Sequence, residues 1–169
     1  YERLEKESLC WPCPDETHPG TPMLHGGDAL IERPGELQCV DHAPPAETPD
    51  REYPLTLTTG RRLSTYHTGT MTGRNRGFDA LVSEELAEIH PMDAERLGIR
   101  DGSMVSVSSR RGSVEARAKI TDRSPEGVVF MSFHFPETPV NELTSDARDP
   151  VTDTPEFKAC AVRAEKLAK

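Results

Sequence analysis

Hydrophobic positions fall into two textures along this chain. Up to residue 52 they are sparse and keep no period; from Tyr53 onward they recur at alternate positions in short runs. Leu55 and Leu57 alternate with Thr56 and Thr58, the period of a half-buried strand. Leu86 to His90 reads as a second short strand. Val105 and Val107 alternate with serines. After an Arg110-Arg111-Gly112 turn, Val114, Ala116, Ala118 and Ile120 alternate with charged residues, which predicts a hairpin. Val128 to Phe133 follows a Ser124-Pro125-Glu126-Gly127 turn as an apolar strand, and Cys160, Val162 and Ala164 suggest a closing strand. Pro91 to Gly98 reads as a short helix, with proline first, acids early, Arg96 late and glycine just past the end. The expectation is a mainly β fold of five to six short strands and one or two short helices. Such a pattern favours a small closed barrel, which leaves no sheet edge exposed. No internal repeat, dinucleotide-fold GxGxxG or P-loop motif is present.

The first 52 residues hold eight of the fifteen prolines and cannot build a core alone. They are expected to form an extended, proline-rich strap belonging to a preceding domain, with Ala43 to Asp50 as the boundary and residues 53–169 as the barrel. A chain beginning at Tyr1 reads as part of a longer polypeptide.

Charge and composition narrow the function. A net charge of -9 and only 5% aromatic residues argue against general nucleic-acid binding. No apolar run approaches the roughly 20 residues of a membrane helix. Cys10 and Cys13 form one CxxC, with His18 and His25 downstream, but no second pair completes a zinc site, and the proline-rich context does not suit a redox motif. No metal ligand is assigned. A cytoplasmic location is the default expectation, with a periplasmic one open because any export signal would precede Tyr1.

Against this acidic background, Arg61, Arg62, Arg74 and Arg76 crowd one short span. Thr59-Gly60-Arg61-Arg62 at a strand end suits an anionic group, since glycine lets backbone amides approach and guanidinium forks grip phosphate oxygens. The simpler reading of such arginines is a solvated basic loop. His67 alone would more often be a surface histidine, Phe157 core packing, and Arg110 and Arg111 a solvated hairpin tip.

Four further features stand in order: Thr59 to Thr72, Ser132-Phe133-His134-Phe135-Pro136, Asn141-Glu142-Leu143-Thr144 and Pro155-Glu156-Phe157-Lys158. With YPLTLTTGRRLSTYHTGTMT, IHPMDAERLGIRDGSMVSVSSRRGSVEARAKITDR, GVVFMSFHF, NELT and DPVTDTPEFKACAVR, the chain resembles the C-terminal domain of molybdenum- or tungsten-dependent oxidoreductases carrying a bis-pterin guanine dinucleotide cofactor (bis-MGD). The formate dehydrogenase catalytic α subunit is the nearest likeness, and the segment YERLEKESLCWPCPDETHPGTPMLH agrees with it.

The resemblance implies a six-stranded double-psi β-barrel related to the aspartate decarboxylase fold, closing over the dinucleotides. It places Thr59, Gly60 and Arg61 at the cofactor, with Tyr66, His67, Thr68, Thr70, Met71 and Thr72 continuing the lining. Asn141 and Lys158 match polar cofactor contacts, while Phe133 and His134 fall in a variable aromatic or amide stretch. It further implies that catalytic residues, iron–sulfur ligands and metal ligand lie in N-terminal domains of the same subunit, which would be partners along with electron-transfer subunits. The chain alone would then have no turnover. The alternatives are the same domain of a nitrate reductase, or a noncatalytic double-psi barrel used as a protein-binding adaptor.

Overall fold

A computed structural model of the chain describes residues 2–23, 37 and 39–167. His25 lies outside them. Two compact units are present, Tyr1–His42 and Ala43–Lys169.

The first unit is made of turns and bends within its described residues. The Arg3 guanidinium donates to the carbonyls of Glu16 (2.5 Å) and His18 (3.0 Å). Asp15 accepts from the amides of Thr17 and His18, and hydrogen bonds from the Thr17 hydroxyl and amide lead the causes holding its carboxyl below the ordinary range. Cys13 donates weakly to the His18 carbonyl, and His18 Nδ1 accepts from the Gly20 amide. Cys10 and Cys13 are free thiols, and no cluster of metal-ligating side chains occurs among the described residues.

The second unit is built on six strands: β1 (Leu55–Gly60), β2 (Leu86–Ile89), β3 (Met104–Ser108), β4 (Ser113–Ile120), β5 (Val128–Ser132) and β6 (Cys160–Lys166). They close in the order β1-β5-β2-β4-β3-β6. The β1·β5 and β2·β4 pairs are parallel and the other four antiparallel. Advancing every strand number by three returns the same ring read backwards, with parallel pairs exchanging places. The fold is thus two interlocked halves, the double-psi β-barrel, although the two halves share no visible sequence repeat.

Period-2 patterning fills the barrel. Leu55 and Leu57 from β1, Val105 and Val107 from β3, Ala116 and Ala118 from β4, and Val129 and Met131 from β5 all turn inward and are buried. The alanines of β4 let large residues of neighbouring strands reach the axis of so narrow a barrel. Cys160 packs in this core, where burial pushes its thiol up to about 11, so it is a packing residue rather than a nucleophile at neutral pH.

Two short helices interrupt the strands, α1 (Arg76–Asp79) and α2 (Pro91–Leu97). In α2, Pro91 opens the first turn, His90 Nδ1 accepts from the Met92 amide, and Gly98 caps the end at φ 65°. Asp93, fully buried, accepts from Arg96 and from the amide of Gly127 (2.6 Å), tying α2 to the turn before β5. Among the described residues no helix is long and apolar enough to cross a membrane.

The hairpin tip departs from the solvated basic turn expected of it. Arg110 bonds to Glu47 (2.5 Å) and to Asp50, and Arg111 bonds to Glu47 (2.6 Å). Residues 43–50 are thereby fastened to the barrel. Burial drives the Glu47 carboxyl upward, but Arg111 and Arg110 outweigh it and hold it below its ordinary 4.5. A carboxyl lower in the native than in the unfolded state lends stability that is present above the unfolded value and lost as pH falls through the native one. Acidification below that range is expected to remove up to about 1 kcal/mol through this group, because its arginine partners are partly exposed and solvent screens the pair. Denaturant unfolding of wild type and Glu47→Gln checks it; equal acid losses in the two would refute the assignment.

Candidate functional site

A cavity of about 780 Å³ opens at one end of the barrel, and the residues around it come from parts of the chain far apart in sequence. Arg61, His67 and Thr68 arrive on the loop after β1, Phe133 from just beyond β5, Asn141 and Thr144 from the 3-10 turn Val140–Leu143 and its end, and Phe157 and Lys158 from the approach to β6. Each is held by ordinary structural means. Buried Val140 and Leu143 seat the 3-10 turn, and Arg111 donates twice to the Leu143 carbonyl, at 3.0 and 2.9 Å. The end of β1 clasps the last segment from both sides: the Thr59 hydroxyl donates to the Phe157 carbonyl (2.6 Å), and Lys158 Nζ donates to the Thr59 carbonyl (2.8 Å).

The chemistry of the cavity is cationic, hydroxylic and aromatic. Among the described residues two cations, Arg61 and Lys158, border it and no carboxylate does. Arg61 spends one N–H on His67 Nε2 (3.0 Å), leaving most of its five donors free, and Lys158 keeps two of its three. Phe133 and Phe157 meet edge to face at 6.5 Å, with Lys158 Nζ 5.7 and 5.0 Å from their rings. A flat heterocycle can lie on such walls while the cations and the Asn141 amide meet its polar and anionic parts.

A second, smaller cavity of about 500 Å³ lies across the same loop, bordered by Thr68, Thr70, Arg74 and His134 among others. Thr68 borders both. Of the residues expected from sequence, Arg61, His67, Thr68, Phe133, Asn141 and Lys158 therefore gather at the larger cavity, and Thr70 and His134 at the smaller. Tyr66, Met71 and Thr72 border neither. Tyr66 stands edge-on to His67 at 4.6 Å, Thr72 accepts from the Tyr66 amide, and Met71 is exposed. Thr59 is buried, its hydroxyl spent on Phe157, and the space a Cβ would need at Gly60 is taken by the Phe130 ring at 2.6 Å.

Sequence reasoning left out Thr144, Ser145 and Phe157, although two of them sit within motifs it singled out. Phe157 is half-buried and forms a wall rather than core. Reasoning from the sequence also missed Glu85. This carboxylate is fully buried, accepts from the amides of Ser132 (2.9 Å) and Leu86 (3.1 Å) and from the Ser132 hydroxyl, and pairs with Arg62 at 3.1 Å. Burial raises its pKa against the pull of Ser132 and Arg62. Arg62 thus turns inward, away from the exposed Arg61 next to it.

A family model described as "Molydopterin dinucleotide binding domain" matches residues 55–161, which encompass the whole barrel up to the start of β6 and every residue of the larger cavity. The chain belongs to this family. Within the molydopterin dinucleotide binding domains, it is 49% identical over 168 residues to F420-dependent formate dehydrogenase 1 subunit alpha of Methanococcus maripaludis, covering 99% of this chain and 25% of that protein. It is 38% identical over 182 residues to the periplasmic nitrate reductase of Desulfovibrio desulfuricans, covering 98% of this chain and 24% of that one. Acetylene hydratase from Pelobacter acetylenicus shares the fold, with a TM-score of 0.59 and 22% identity over 68% of this chain and 18% of the other. The chain spans about a quarter of the length of the curated relatives it matches.

Proposed function

We propose that the chain is the cofactor-capping domain of a formate dehydrogenase catalytic subunit, and that the larger cavity holds part of a molybdopterin guanine dinucleotide of a bis-MGD group with molybdenum or tungsten. The supporting observation is the cavity itself: two cations, an amide and hydroxyls border it together with two phenyl rings, and no carboxylate borders it among the described residues. That donor set fits a ligand of flat heterocycles joined by a pyrophosphate. When bound, such a group supplies a metal able to accept two electrons from formate. In this division of labour the chain's own residues bind and enclose. Arg61 and Lys158 neutralise phosphate charge, Asn141 and Thr144 address heterocycle edges, and Phe133 and Phe157 keep water from the ring faces. Remaining domains of the same subunit are the natural partners, with electron-transfer subunits beyond them.

Greater identity to the formate dehydrogenase than to the nitrate reductase favours formate over nitrate. The adaptor reading leaves the cationic cavity without a purpose. The full-length subunit purified from its natural host is expected to contain molybdenum or tungsten with pterin and guanine nucleotide, and to reduce a dye with formate. The chain alone is expected to show no turnover. Reduction of nitrate in place of formate oxidation would move the assignment to the sibling enzyme, and absence of pterin would overturn it.

A further inference from the structure

The loop after β1 that carries Arg61 to the cavity passes through the left-handed region twice. His67 has φ 47° and Gly69 φ 78°, two left-handed positions within three residues, the first in a residue with a side chain. Arginine only donates, so His67 Nε2 accepts from Arg61 and the ring proton sits on Nδ1. His67 therefore sets the direction of Arg61, and the question becomes what sets His67.

Its carbonyl provides the answer. His134 Nδ1 lies 3.0 Å from the His67 carbonyl oxygen, and because a carbonyl only accepts, Nδ1 is the protonated nitrogen. His134 is buried, 6% exposed. Its amide points at the Ser132 hydroxyl (3.4 Å), and Ser132 is pinned through both amide and hydroxyl to buried Glu85. From the loop side the fit is equally close: a Cβ on Gly69 would stand 2.9 Å from the His134 carbonyl oxygen and 3.2 Å from its ring. A buried post rising from Glu85 through Ser132 thus ends in an N–H that holds the loop at His67, while Arg62 ties the start of the loop to the same Glu85.

We infer that His134 is a positioning residue: by fixing the His67 carbonyl it aims Arg61 into the larger cavity, which His134 does not itself border. This rests on the reading of that cavity as a dinucleotide site. The experiment uses the cofactor-loaded full-length subunit and follows the release rate of the pterin dinucleotide by the fluorescence of the freed, oxidised pterin. His134→Phe is expected to speed release about tenfold, the loss of one hydrogen bond of ordinary strength. His134→Asn, whose amide N–H can replace Nδ1–H, is expected to stay within about twofold of wild type. In an Arg61→Ala background, His134→Phe is expected to add nothing, because the two act in series. If His134→Phe does not fold, Gly69→Ala, which presses on the same histidine, takes its place with the same two expectations of faster release alone and no added effect beside Arg61→Ala. Equal effects with and without Arg61, a His134→Asn variant as fast as His134→Phe, or release from His134→Phe at the wild-type rate would each overturn the inference. If Arg61→Ala itself leaves release unchanged, the failure belongs to the reading of the cavity.

Discussion

Replacing Arg61 by alanine in the full-length subunit is expected to weaken cofactor retention by on the order of 10- to 100-fold, the worth of one charge-assisted hydrogen bond at about 1.5–3 kcal/mol. The barrel should not notice. Arg61 is exposed, and its hydrogen bond goes to His67 on the same loop. Unfolding stability is therefore expected to change by less than about 0.5 kcal/mol, as for other surface substitutions. Arg61→Lys should recover only part of the retention, since an ammonium keeps the charge but not the planar fork. Metal and pterin content per subunit, measured beside a denaturant curve, separates the two effects. Wild-type content in Arg61→Ala would remove Arg61 from the site.

Its neighbour is expected to behave in the opposite way. Arg62→Ala should cost about 3–5 kcal/mol of fold stability, because it leaves the Glu85 carboxylate buried without a cation. The Leu86 carbonyl also loses its 2.8 Å donor. The loss should depend on pH. A carboxyl whose pKa is raised on folding binds its proton more tightly in the native state, so stability falls as pH rises from the unfolded value through the native one. Removing Arg62 takes away a downward pull and raises that pKa further. The variant is therefore expected to be less stable at about pH 7 than at about pH 5, by more than wild type. Glu85→Gln in the same background should restore part of the loss and flatten the dependence. Its carbonyl can keep the Ser132 and Leu86 amides, and its NH₂ can donate to the Ser132 hydroxyl. Denaturant unfolding of the three proteins at both pH values decides it; a pH-independent loss, or no rescue, would refute this account.

The contrast between adjacent arginines shows what the sequence could and could not convey. Period-2 runs such as Val114, Ala116 and Ala118 told which face of a strand is buried, and Pro91 and Gly98 marked the helix between them. Those are local signals. Neither Arg61 nor Arg62 carries a local sign of its destination, because Arg62 turns inward only when Glu85 comes to meet it. Glu85, next to Glu84, carries no local sign of burial either. Arg110 and Arg111 look like a polar tip until Glu47, more than sixty positions earlier, is seen beside them. Strand order was equally hidden: periodicity says that β1 has a buried face but not that β5 will lie against it. Short strands and turns pointed to closure, resemblance to a family supplied the double-psi topology, and the larger cavity gathers six of the residues that resemblance pointed to.

The ring order β1-β5-β2-β4-β3-β6 has a temporal consequence. The first strand waits for the fifth on one side and the sixth on the other, so the ring cannot close while the chain is still emerging from the ribosome, although β2, β4 and β3 can pair earlier. Lys158 and Phe157, directly ahead of the sixth strand, reach their places beside Thr59 only at that closing step. The larger cavity is thereby completed only once synthesis has passed Lys166, the end of the sixth strand.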